Sequence, residues 1–303
     1  MDTQQILTDA LPKAQAAFGG AMRSAAIVLV AAILVGVARQ FCSDQSAWTV
    51  DLAGVLAISF LAIGDASAFM GLGKNTLAAL GDLANLVLPM LAGAAAASGT
   101  PSAAAAQFAV TALFMDALII VAERVLQPLI FAYLAAEVAG AASGNDAMSG
   151  AAGFLKWLCT TVLSVIVLVF VIYLSVTGIV SSTADAAAVR VAKTTISAVL
   201  PVVGSIVADA ASSVLAGALT LKNTIGISAM VSVLTLCMAP FLNLGAQYLM
   251  YKAASKLAAG IAGGRIARLA SGIGTAFGLM LATVGACGLM LFFSLISMLS
   301  IRQ

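Results

Sequence analysis

The stretch WLCTTVLSVIVLVFVIYLSVTGIVSS, residues 157–182, carries no charged side chain over its whole length. A membrane-crossing helix needs about 20 consecutive, mainly apolar residues, and this segment exceeds that. A soluble amphipathic helix would set charges along one face, and here there are none to set. Two further stretches, 223–251 and 269–301, are equally free of charge, and 83–115 is uncharged but Ala-rich and interrupted by Pro89 and Pro101.

Working outward, the 303-residue chain is 62% hydrophobic and only 9% charged, with a mean hydropathy of +1.13, whereas a soluble domain is about 25% charged. Transmembrane β-strands alternate apolar and polar residues over about 10 positions, and these segments do not alternate. The reading is an all-α, polytopic helical membrane protein whose first partner is the lipid bilayer. The net charge of +2, without a basic or aromatic patch, gives no reason to expect nucleic-acid binding. Cys42, Cys159, Cys237 and Cys287 are far apart and indicate neither a disulfide framework nor a zinc site. With no histidine in the chain, a His-based metal site or general base is excluded. No cofactor is expected. A GxxxxGK[ST] phosphate loop is missing, so energy for any active process would come from a separate subunit or an ion gradient.

The N-terminal MDTQQILTDALPKAQAAFGG is polar and lacks the basic start and short apolar core of a signal peptide. Beyond it, eight spans are expected, at about 22–40, 50–72, 84–107, 111–139, 156–181, 195–220, 224–251 and 270–300. The third and sixth, which carry Pro89 and Pro201, could be broken helices or re-entrant hairpins.

Sliding the chain against itself by 112 residues sets Val87-Leu88-Pro89 on Val199-Leu200-Pro201, Pro128 on Pro240, and Ala141-Ala142-Ser143 on Ala253-Ala254-Ser255. This suggests a duplication and divides the chain into a short polar segment (1–21), two leading helices (22–75) and two three-span repeats (76–187 and 188–303). With an odd number of spans per unit, the second copy is expected upside down. The loop 252–268 carries Lys252, Lys256, Arg265 and Arg268 with no acid, and is placed in the cytoplasm. Its counterpart, 140–156, has Asp146 and Lys156, follows Glu137, and is placed outside, as are both chain ends. Inverted three-span repeats are an architecture shared by many transporters.

Ionisable groups at membrane depth are costly, which makes each a candidate. Asp116 and Glu123 lie two turns apart on one helix face, with Arg124 following. They form either an ion pair between neighbouring helices or part of a pathway lining. Asp209, among Ala, Ser and Gly, lines an interface or pore or serves structure alone. Lys222, beside Asn223, fits a snorkelling lysine at a helix end. Asp51 and Asp65 flank the second span and read as interfacial. Gly260–Gly264 and Gly274–Gly278 both read GxxxG, a weak signal in so Gly- and Ala-rich a chain.

Several segments together carry a resemblance. They are Arg190-Val191-Ala192-Lys193, then Leu200-Pro201-Val202-Val203-Gly204, Asp209-Ala210, and Leu221-Lys222-Asn223-Thr224-Ile225-Gly226. Leu88-Pro89 followed by Ala-Ala-Ser-Gly, Pro128-Leu129 and Tyr251-Lys252-Ala253-Ala254 extend it. In order and spacing the chain resembles the stage III sporulation protein AE family over roughly residues 50–303. The resemblance implies an endospore-forming bacterium and a mother-cell membrane component of a channel-like assembly facing the engulfed forespore. It further implies a forespore membrane partner and other stage III sporulation proteins, among them a secretion-type ATPase on a separate polypeptide, and late forespore development as the process served. Relatives commonly begin with a signal peptide and a longer N-terminal region. On this reading Pro89 and Pro201 meet where a channel or gate forms, homo-oligomerisation is possible, and the chain is not an enzyme. The rival readings are an autonomous small-molecule transporter and a structural scaffold with no conducting path.

Overall fold

A computed structural model describes residues 3–97, 101–176, 224–261 and 264–300, and among them there is helix but no strand. In chain order the helices are α1 (Thr3–Gln40), α2 (Asp44–Ala97), α3 (Pro101–Val121), a π-turn (Ala122–Leu126), α4 (Gln127–Ser143), α5 (Asp146–Val176), α6 (Thr224–Ile261) and α7 (Gly264–Ser300). Among the described residues six helical stretches are long and apolar enough to cross a membrane. The chain is a helical membrane protein.

The eight expected spans redistribute. The break expected between the second and third is helical throughout, because α2 runs unbroken from Asp44 to Ala97. Lys74, Asn75 and Asp82 lie in that interval and are exposed, while Thr76, Leu77, Leu80, Ala84, Val87 and Leu88 are buried. That is the three-to-four-residue spacing of a helix with one enclosed face, and Leu and Ala are strong helix formers. Within the third span α2 extends to Ala97 and α3 begins at Pro101, with 98–100 outside the described residues. Pro101 opens α3 as proline tolerates, in a first turn whose N–H groups have no intrahelical acceptor. The fourth span is continuous but carries the π-turn 122–126. Pro128 follows, and a proline removes one N–H and crowds the carbonyl four residues before it, here that of Arg124. A π-turn inserted at that carbonyl accommodates the misfit. The sixth span, 195–220, lies outside the described residues.

The chain forms two compact units. Unit 1 comprises 1–73, 127–159 and 238–281, and unit 2 comprises 74–126, 160–237 and 282–303.

In unit 1, three helix–helix turns share one end. A Cβ on Gly36, near the end of α1, would stand 2.5 Å from the carbonyl oxygen of Ile261, the last residue of α6. Gly144, in the α4–α5 turn at a φ of 66°, lies against the guanidinium of Arg265 in the first turn of α7. Arg268 donates to the Ser149 hydroxyl at 3.4 Å. The α1–α2 turn is fastened by Arg39 and Asp51, 3.4 Å apart, with Asp51 buried. The turns at 144–145 and between Ile261 and Gly264 are therefore neighbours. Inversion expects these two loops on opposite faces, whereas the helix ends that flank them are in contact here. Lys156, from the one loop, lines the same cavity as Lys252, Lys256 and Arg268 from the other.

Farther from that end, the α6–α7 contact is close because glycine permits it. A Cβ on Gly274 would stand 3.1 Å from that of Tyr251, and one on Gly278 would stand 2.8 Å from the Tyr248 ring. Of the two GxxxG patterns this one is the packing motif, and Gly260 and Gly264 have nothing within 4 Å. Tyr251 and Phe69 both contact the Phe277 ring, at 5.4 and 5.5 Å. The Tyr251 hydroxyl also donates to Asp65 at 3.2 Å, which gives Asp65 a buried structural partner.

In unit 2, Leu77, Leu80, Leu88, Met115, Leu118 and Phe170 are buried, and the Phe114 and Phe170 rings lie 5.4 Å apart. A Cβ on Gly288 would stand 2.5 Å from the Cys237 sulfur, so glycine again sets the α6–α7 approach. Of the six candidate spans α7 is the most enclosed, 72% buried, and α5 the least, at 11%.

Candidate functional site

Four helices of unit 1 each present a polar stripe at helical spacing. On α4 the stripe is Tyr133 and Glu137, four residues apart, and on α5 it is Ser149, Gly153 and Lys156. On α6 it is Lys252, Ser255, Lys256 and Ala259, and on α7 it is Ala267, Arg268, Ser271, Gly272 and Thr275. The stripes face one another across a cavity of about 520 Å³. It extends inward from the end where the turns meet. Lys252 lies nine residues before the end of α6, on the order of 14 Å along the helix axis.

Lys252 is held in place. Its ammonium donates to the Ser271 carbonyl at 3.0 Å, the Ser271 hydroxyl at 2.9 Å and the Thr275 hydroxyl at 2.8 Å. All three N–H bonds are used, and α6 is pinned to α7. One turn on, the buried Ser255 hydroxyl donates to the Ala267 carbonyl at 2.8 Å, a second fastening of the same pair.

Across from them, Tyr133 stands beside Glu137 and Thr275 on the cavity wall. Glu137 faces the cations Arg268, Lys252 and Lys156. Room for its side chain comes from Gly272 on α7, where a Cβ would stand 2.8 Å from the Glu137 carboxyl carbon. Four cations and one carboxylate thus line the cavity, with serine and threonine hydroxyls between them. Such an arrangement favours an anion and disfavours a metal cation.

The described residues among those singled out from the sequence lie elsewhere. Pro89 is on an exposed face of α2, Asp116 is exposed on α3, and Glu123 and Arg124 stand in the π-turn, half-buried and exposed respectively. All four belong to unit 2, and none lines the cavity. Among the described residues no ion pair joins Asp116 or Glu123 to Arg124 or to a neighbouring helix. Pro201, Asp209, Lys222 and Asn223, with Arg190, Lys193 and Gly204, lie outside the described residues. Gly226 falls in the first turn of α6.

Sequence reasoning used Glu137, Lys156, Lys256 and Arg268 only to orient loops, and Lys252 for that and within a family segment. Two signals could have grouped them. Tyr133 and Glu137, like Lys252 and Lys256, are four apart, and Lys156 and Arg268 are separated by the same 112 residues as Pro128 and Pro240.

The family model described as stage III sporulation protein AE (spore_III_AE) matches residues 4–301. The chain belongs to the stage III sporulation protein AE family. It is also similar to the stage III sporulation protein AE of Bacillus subtilis (strain 168), 24% identical over 209 residues. That alignment covers 69% of this chain and 52% of the relative, so the chain spans about half the length of the curated relative it matches. No solved structure matches it. The family segment Tyr251-Lys252-Ala253-Ala254 now has a physical role in this member of the stage III sporulation protein AE family. Its tyrosine anchors Asp65, and its lysine clamps α7 at the cavity wall.

Proposed function

We propose that this chain is a non-enzymatic, multi-pass subunit of a sporulation assembly in the mother-cell membrane, working with other stage III sporulation proteins and a separate ATPase across the space facing the forespore. The observation that carries the reading is the family match over residues 4–301. The six apolar helices agree with it. Arg39, Lys256, Arg265 and Arg268 lie within about two turns of this end, with Lys156 and Lys252 deeper, and the positive-inside rule assigns such an end to the cytoplasm. In this reading the polar cavity opens toward the mother-cell cytoplasm, where a conduit or docking platform would receive its partners.

The test is complementation. In a spore former lacking its own family member, this chain restores heat-resistant spore counts and localises to the membrane around the forespore. Restored localisation without spores, or spores without localisation, would overturn the assignment. Solute flux through liposomes holding this chain alone would favour an autonomous transporter instead.

A further inference from the structure

We propose that the basic cavity of unit 1 binds a phosphate-bearing anion at the membrane face, supplied either as a phospholipid headgroup or as free phosphate. The proposal needs only the cavity and stands apart from the sporulation reading.

Charge comes first. Lys156, Lys252, Lys256 and Arg268 share one wall system with a single carboxylate, Glu137. Lys156 and Lys252 are half-buried, and half-buried cations in excess are costly unless a counter-charge joins them. Glu137 is not free to serve at the rim, since it is held beside Tyr133 and fitted against Gly272.

Geometry narrows the ligand. Lys252 contributes charge but has no N–H left to donate. The donors that remain are the ammonium groups of Lys156 and Lys256 and the guanidinium of Arg268, which gives one N–H to Ser149. They come from α5, α6 and α7, three helices that line the one cavity. A tetrahedral oxyanion offers oxygens to all three at once, whereas a planar carboxylate would satisfy the arginine fork and little else.

Size and position agree. A volume of about 520 Å³ admits phosphate with the glycerol or sugar of a headgroup attached. Lys256 and Arg268 are exposed, Lys156 is half-buried behind them, and the cavity lies at the end where the turns meet. Basic pockets between membrane helices at that level are where anionic headgroups collect.

The experiment is amine labelling of the full chain in lipid nanodiscs, read by mass spectrometry at Lys156 and Lys256. Lys74, exposed in unit 2, is the internal reference. Three preparations are compared: phosphatidylcholine alone, phosphatidylcholine with inorganic phosphate, and phosphatidylglycerol. The site is supported if labelling of the two lysines falls about tenfold against Lys74 in either anionic condition, the change expected from filling a site of useful affinity. A fall with phosphatidylglycerol alone assigns the headgroup, and a fall with inorganic phosphate assigns the free anion. Equal labelling in all three preparations overturns the proposal. Arg268→Gln abolishes the protection, and Lys256→Gln, read at Lys156, is the second variant. Protection that survives both substitutions overturns it too.

Discussion

The Nζ of Lys252 on α6 stands 2.8 Å from the Oγ1 of Thr275 on α7. The Thr275 hydroxyl in turn donates to the Ser271 carbonyl at 2.9 Å, the same carbonyl that accepts from Lys252. A cation, two hydroxyls and a carbonyl form one closed polar knot within an otherwise apolar helix pair.

Lys252→Met keeps the aliphatic stem and deletes all three donors. Hydrogen bonds to a charged group contribute roughly 1.5–3 kcal/mol, so the variant in detergent is expected to aggregate at a clearly lower temperature. Lys252→Arg does not restore the transition, since a planar fork cannot reproduce three bonds from one nitrogen. An unchanged aggregation temperature for Lys252→Met would mean that the knot contributes no stability.

Gly272 is expected to be intolerant of a methyl group for a reason that a second mutation exposes. The added Cβ would meet the Glu137 carboxyl at 2.8 Å, and such overpacking costs about 1–3 kcal/mol. Glu137→Ala removes the obstacle, so the double variant is more stable than the sum of the two single effects predicts. Simple additivity in this cycle would show that the two residues do not press on one another.

The two GxxxG patterns should respond oppositely. Gly278→Ala drives a methyl into the Tyr248 ring, whereas Gly260→Ala enters open space in a helix. The first is expected to destabilise by about 1–3 kcal/mol and the second to stabilise by roughly 0.4–1 kcal/mol. Thermal melts of the two variants side by side check this, and equal shifts would contradict it.

The shared end of the turns makes a topological prediction. Single cysteines at Asn145 and Gly264, in a chain freed of Cys42, Cys159, Cys237 and Cys287, are expected to react with a membrane-impermeant maleimide from the same side of the vesicle. Reaction from opposite sides would restore the inverted arrangement and remove the cavity.

Much of this was legible in the sequence, and the legible parts share a cause. Charge-free runs such as 157–182 report membrane helices directly, because lipid leaves a spanning backbone no partner outside its own helix. Irregularity was expected at Pro89 and Pro201, whereas α2 runs unbroken through Pro89 and the π-turn stands beside Pro128. The family likewise showed in short ordered motifs. The break expected between the second and third spans is not there, because Lys74, Asn75 and Asp82 lie on the exposed side of a continuous helix.

What the sequence determined by itself was the solvent: a chain of helices made for lipid. Which helix ends lie together was decided only in three dimensions. Glu137, Lys252 and Arg268 are separated by more than a hundred residues from first to last, and no local periodicity links them. Glycines at 272, 274 and 278 let the backbones of α4, α6 and α7 approach, and that approach gathers the charges around one cavity. Charge counting along the chain assigns a loop to a face one loop at a time. Only packing shows that two such loops share a face.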